Sequence, residues 1–91
     1  MSVKVNIHPF LGEYTNNQDA VEVNGSTVGE CLEQLVAQFP GIREALFGKD
    51  GNLLNCIDIF VNADNAYPEE LAKPVKDGDK LYIVMIMGCV G

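Results

Sequence analysis

Side-chain chemistry needs ionisable, metal-binding or nucleophilic groups in complementary sets, and few such sets exist in this chain. His8 is the sole histidine and stands beside Pro9. One imidazole without a companion supplies no metal-binding cluster, and His8 reads as a solvated turn residue. The chain contains no P-loop, no GxGxxG and no Ser-His-Asp constellation. Carboxylates are plentiful, but Glu69-Glu70 and the Asp77/Asp79 pair fall in predicted loops, where a solvated surface is the ordinary explanation. The three cysteines, Cys31, Cys56 and Cys89, are an odd number without CxxC spacing. They indicate neither a disulfide framework nor a zinc site, so reduced thiols are expected. An iron–sulfur cluster of the usual kind would need four cysteine ligands. No metal and no bound cofactor are therefore expected.

Each thiol also has an expected setting. Cys31 lies on a helical apolar stripe and belongs to the core, as free cysteines often do. Cys56 opens a strand and is expected to be half exposed. Cys89 stands two residues from the last residue, where a thiol would be accessible, but nothing basic lies near enough in sequence to activate it. The remaining candidate is the end of the chain, Met85-Ile86-Met87-Gly88-Cys89-Val90-Gly91, where a large apolar run passes directly into a small, glycine-containing tail.

Composition bounds what such a tail serves. Ninety-one residues make one domain, and 47% hydrophobic content supplies one two-layer core. A net charge of −7, with Lys4, Arg43, Lys49, Lys73, Lys76 and Lys80 scattered, argues against nucleic acid or an anionic membrane as partner. No stretch approaches the roughly 18 consecutive apolar residues of a membrane span. The N-terminus lacks the basic and apolar regions of a signal peptide, so a cytoplasmic protein is expected.

The elements that position the tail follow from periodicity. SVKVNIH (2–8) and DAVEVN (19–24) alternate like half-buried strands, and the polar GEYTNNQ between them makes a hairpin with a long turn. Thr27 followed by Glu30 has the form of a capping box, with Ser26 as an alternative cap. Behind it Val28, Cys31, Leu32, Leu35, Val36 and Phe39 form one stripe of a helix that Pro40-Gly41 ends. IREALF (42–47) suits a further short helical turn. CIDIFVN (56–62) is a third strand with Ile57, Ile59 and Val61 inward and Phe60 outward. ADNAYPEELAKPV holds at most a short edge strand. KLYIVMIM (80–87), after the Lys76–Asp79 turn, is apolar enough for a central strand buried on both faces. One helix over a mixed sheet of four to five strands is an α+β, β-grasp (ubiquitin-like) architecture, with residues 1–87 as the domain and 88–91 as a tail.

The stretch TVGECLEQLVAQFPGIREALFGKDGNL, then IDIFVNADN and KPVKDGDKLYIV, resembles the MoaD/ThiS family of small sulfur-carrier proteins, and within it the small subunit of molybdopterin synthase. The likeness runs over roughly residues 3–84. Its most specific parts are the T-V-x-x-x-L helix start leading to F-P-G, the F-V-N strand end and the K-D-G-D turn. The resemblance implies that the Gly91 carboxylate is the working group of a carrier that is not itself an enzyme. A ubiquitin-activating-type enzyme would adenylate it with ATP and a sulfur donor would convert it to a thiocarboxylate. A sulfur-accepting biosynthetic enzyme, such as a molybdopterin synthase large subunit, would then take the sulfur. Gly88 would provide freedom in the tail, and Phe60, Met85 and Met87 would meet the partner. Physical reasons favour such a tail too: glycines let a backbone enter a narrow tunnel, and apolar residues before it offer roughly 25 cal/mol per Å² of buried area.

The tail departs from the family's pattern. Family tails typically end in Gly-Gly, whereas this chain ends Gly88-Cys89-Val90-Gly91 and contains no Gly-Gly. Three readings stand: activation at Gly91 by a partner with a wider tunnel; a terminus that lacks a residue or comes from a processed precursor; or a ubiquitin-like module that docks on a larger enzyme without sulfur transfer. Conjugation of Gly91 to lysines and thiol transfer through Cys89 are further functional alternatives.

Overall fold

The valines of the first two strands set the sheet's inner face. In the computed structural model, which describes residues 2–54, 56–67 and 69–85 and Phe10 by its backbone alone, β1 (Ser2–Asn6) pairs antiparallel with β2 (Ala20–Asn24). Val3 faces Val23 and Val5 faces Val21, and all four are buried. The connection is more ordered than a polar turn. Pro9–Tyr14 forms a 3₁₀ helix that carries Leu11 into the core, and Asn16 and Asn17 take φ of 54° and 63°, a left-handed conformation that asparagine tolerates. Thr15 is fully buried there, its hydroxyl 3.3 Å from the Gly12 carbonyl and 3.2 Å from that of Gln18. The buried polar group is thereby satisfied.

Helix α1 (Val28–Gln38) begins as the Thr27/Glu30 spacing requires, with one modification. The Thr27 hydroxyl accepts from the Glu30 N–H at 3.2 Å, while the Glu30 carboxylate accepts from the N–H and hydroxyl of Ser26 at 2.9 and 2.8 Å. Both residues expected as caps therefore take part. The Val28 N–H, an orphan donor of the first turn, donates to the Lys73 carbonyl at 2.9 Å. Val28, Cys31, Leu32, Leu35 and Val36 are buried along one face. Pro40 starts a 3₁₀ turn (Pro40–Ile42) that leads into a four-residue α2 (Arg43–Leu46). Ile42 and Leu46 join the core.

Three more strands complete one sheet: β3 (Ile57–Val61), the two-residue β4 (Asp64–Asn65) and β5 (Lys80–Met85). Their order is β2-β1-β5-β3-β4, so the last strand lies in the middle. It runs parallel to β1 and antiparallel to β3. Leu81, Ile83, Ile57, Ile59 and Val61 share one hydrophobic core with the α1 stripe. The central placement of β5 agrees with its apolar sequence, but burial on both faces does not hold. Tyr82 is 37% exposed and Val84 half-buried, because α1 packs against the other side of the sheet.

The F-V-N and K-D-G-D segments meet at one end of the sheet. Asn62 takes φ of 56° at the end of β3 and Gly78 takes φ of 89° in the turn. The Asp79 carboxylate accepts from the Lys76 N–H at 2.8 Å and from Asn62 Nδ2 at 3.2 Å. Asn62 Oδ1 accepts from the Lys80 N–H at 3.1 Å, and the Asn62 N–H donates to the Lys80 carbonyl at 2.7 Å. Gly78 N–H and Lys4 N–H reach the Ser2 and Asp79 carbonyls, at 2.8 and 3.1 Å. This clamp holds the starts of β1 and β5 and the end of β3 in one register.

The clamp and the cap both bear on stability. Asn62→Gly, which keeps the left-handed backbone but loses the side-chain bonds, is expected to cost about 1 kcal/mol. Asn62→Ala, which also meets the left-handed penalty, is expected to cost about 2 kcal/mol; urea titration ranks the two. Hydrogen bonds to Lys76 and Asn62 hold Asp79 below the usual carboxylate range, and those from Ser26 do so for Glu30. A lowered folded pKa means that the native state binds fewer protons than the unfolded chain. The stability these groups add is present above the ordinary carboxylate pKa and disappears as pH falls through the lower folded value. Across that acid range the melting temperature should fall with pH more steeply for the native sequence than for Asp79→Asn, as thermal melts would record.

Candidate functional site: an open sheet face and the end of β5

Strand parity divides β5 between two environments. Leu81 and Ile83 are buried toward the helix, and Met85 follows them in parity, half-buried and packed against the core. Lys80, Tyr82 and Val84 point to the opposite face. On that face Tyr82 stands between Asn6 of β1 and Phe60 of β3, and Phe60 in turn faces Asn65 of β4. One row lower Val84 faces Asp58, and one row higher Lys80 faces Lys4. The open face thus carries a small apolar patch, Phe60, Tyr82 and Val84, rimmed by amide, lysine and carboxylate groups.

Phe60 is half-buried, as an aromatic flanked by Tyr82 must be. Tyr82 and Val84 were not singled out from sequence; the signal was counting alternate residues from Lys80 through the apolar run. Met85, opposite Ile57, is the last described residue of β5. Met87, Gly88, Cys89, Val90 and Gly91 lie outside the described residues. The patch borders the strand that leads toward them.

The side chains named for chemistry are dispersed. His8 follows β1, half-buried. Among the described residues no group of three His, Cys, Asp or Glu is placed to hold a metal ion. Cys31 is a fully buried free thiol, and burial, with the Glu30 carboxylate adding to it, pushes its pKa up. Cys56 departs from expectation twice: it is 8% exposed rather than half exposed, and it is disulfide-bonded rather than reduced.

This topology, a mixed five-stranded sheet crossed by one principal helix with the C-terminal strand at its centre, defines a β-grasp, ubiquitin-like protein. A model of the ThiS family matches residues 8–88, and the chain belongs to that family. It is 32% identical over 87 residues to the sulfur carrier protein CysO of Mycobacterium tuberculosis, covering 92% of this chain and 94% of that one. With the small archaeal modifier protein 1 of Haloferax volcanii it shares 36% identity over 62 residues, 67% of this chain and 68% of the other. A chain in the crystal structure of the Amycolatopsis orientalis BexX/CysO complex superposes with a TM-score of 0.86 at 30% identity, covering 92% of this chain and 94% of that chain.

The two faces of β5 should respond differently to truncation. Ile83→Ala, on the buried face, is expected to cost about 2–5 kcal/mol. Tyr82→Ser, which forfeits chiefly a cross-strand pair with Phe60, should cost about 1 kcal/mol or less. Chemical denaturation of the two variants checks the assignment of faces.

Proposed function

We propose that this protein is a sulfur carrier whose C-terminal carboxylate, on Gly91, is adenylated and converted to a thiocarboxylate. The observation that carries the reading is the placement of β5 in a chain of the ThiS family. The central strand reaches the rim of the sheet beside Ile57, and the sequence then passes through Ile86 and Met87 into a small, glycine-containing tail. Residues 1–87 form the docking body and 88–91 the delivered tail. The protein is a substrate and subunit for others rather than a catalyst. It binds no cofactor of its own, and ATP is consumed by a ubiquitin-activating-type adenylating partner.

The likeness to proteins named as sulfur carriers supports the role, and the BexX/CysO complex supports docking of such a carrier on a protein partner. Phe60 and its neighbours Tyr82 and Val84 suit that contact, together with Met85 and, two residues on in sequence, Met87. The acidic balance of the chain suits partners with basic surfaces around their entrances. No helix among the described residues is long and apolar enough to cross a membrane, and the reading places the protein in the cytoplasm. The motifs resembling molybdopterin-synthase small subunits make a molybdopterin-type enzyme the first recipient to try. The likeness to CysO adds the carrier role without adding that recipient.

A second reading, conjugation through Gly91, draws on the likeness to a small archaeal modifier protein. One assay separates the possibilities. With ATP, a cognate adenylating enzyme and a sulfur donor, intact-mass spectrometry should show replacement of one carboxylate oxygen by sulfur. Removal of residues 88–91 should abolish this exchange and leave docking. Isopeptide-linked adducts in place of the exchange would favour the modifier. Retained biological activity after the deletion would leave a docking module without sulfur chemistry.

A further inference from the structure

One row above the aromatic patch, the open face of the sheet sets two like charges against each other. Lys4 of β1 and Lys80 of β5 stand directly opposite in the parallel ladder, with their backbones roughly 4.8 Å apart. Both side chains are exposed. We propose that this pair, with Phe60, Tyr82 and Val84, forms a docking face for a protein segment that offers a carboxylate and a neighbouring apolar side chain. The proposal deepens the carrier reading by naming the chemistry of the surface on which this face docks.

The neighbouring carboxylates are engaged elsewhere. Glu22 faces Lys4 from β2, but its carboxylate accepts from the Ser2 hydroxyl. Asp77 accepts from the Ser2 N–H at 2.7 Å, and Asp79 is held by the Lys76 N–H and Asn62 Nδ2. Among the described residues the one ion pair joins Arg43 to Glu33, in the helical layer. In a chain of net charge −7, two facing ammonium groups without such a partner are a local exception. Like charges directly opposite one another cost stability, and a carboxylate set between them offsets that cost. A depression of about 400 Å³, lined by both lysines with Ser2, Ala20 and Glu22, gives it room.

Spacing supplies the second half of the recognition. Tyr82 follows Lys80 by two residues on the same face, about 7 Å along the strand, and Phe60 lies across from it. An extended segment repeats its side chains at the same interval. A glutamate or aspartate at one position and an apolar residue two further on therefore meet the lysines and the patch together. Asp58, opposite Val84 at the far end of the patch, repels a second carboxylate and so fixes which end of the segment is acidic. A free phosphate would satisfy the lysines but leave the patch uncovered.

The test titrates the full-length chain with a capped peptide, Ser-Glu-Thr-Leu-Thr-Val-Ser, and follows amide chemical shifts by NMR. Shifts should centre on Lys4, Lys80, Tyr82 and Phe60. Replacing the peptide's glutamate by lysine should raise Kd about fivefold, the scale of an exposed ion pair. Replacing its leucine by serine should also weaken binding, through lost apolar burial. Lys80→Glu should remove the preference for the glutamate peptide. Lys49→Glu, which makes the same change in net charge from the turn after α2, should keep it. Urea denaturation should find Lys80→Glu at least as stable as the native sequence, because it sets an opposite charge across from Lys4; a lower midpoint overturns the idea of an unneutralised pair.

No shifts on this face, or equal Kd for the glutamate and lysine peptides, overturns the proposal. Equal losses in the Lys80 and Lys49 variants overturn it too, since overall charge would then be the cause. Sodium phosphate at matched ionic strength that reproduces the Lys4 and Lys80 shifts makes the pair a small-anion site, which also overturns it. The titration needs no adenylating enzyme, so its failure and a failure to form the thiocarboxylate are separate results.

Discussion

Everything in this molecule depends on a strand that comes last in the chain and lies in the middle of the sheet. β5 pairs with β1 on one side and β3 on the other, so its inward residues complete a core that the first strand and the helix began. Among the described strands, β5 is the one that joins the β2-β1 pair to the β3-β4 pair. The segment on which the fold closes is therefore far in sequence from β1, and such long-range pairings carry loop-closure entropy that must be overcome before they reward the chain. The arrangement explains why the strand is so apolar: Leu81 and Ile83 belong to the core, and Met85 packs against it.

The opposite end of β5 supplies the register. Asn62, Gly78 and Asp79 join the end of β3 to the starts of β1 and β5 through backbone and side-chain hydrogen bonds. A one-residue slip would exchange Tyr82 with a core leucine or isoleucine. The clamp thus decides which aromatic residues lie on the open face of the sheet. Two motifs that look like separate family marks in sequence, F-V-N and K-D-G-D, are one structural unit.

Much of the fold was legible in the alternation of Val3, Val5, Val21 and Val23, the stripe from Val28 to Val36, and the inward isoleucines of β3. These patterns report burial, and burial is what shapes them. Other features were not legible because their causes are nonlocal. The 3₁₀ segment that buries Leu11 reads as part of a polar connection, and Cys56 reads as an edge residue until β5 is placed beside it. The continuous apolar run of β5 suggested cover on both faces. A run of that kind records how apolar a strand is and not how many layers pack on it.

Composition, periodicity and the ordered motifs determined that this is a small acidic β-grasp protein resembling sulfur carriers, and that its titratable side chains form no recognisable catalytic set. Those properties are local or additive along the chain, so sequence carries them. Tertiary structure decided that Phe60 is joined by Tyr82 and Val84 on an open face, that Met85 follows the core side, and that Cys56 is buried in a disulfide beside the end of β5. Each of these depends on which residues stand opposite one another across the ladder. Hydrogen-bond register and the layer packed above it set that relation, and neither is written in the spacing of residues along one strand.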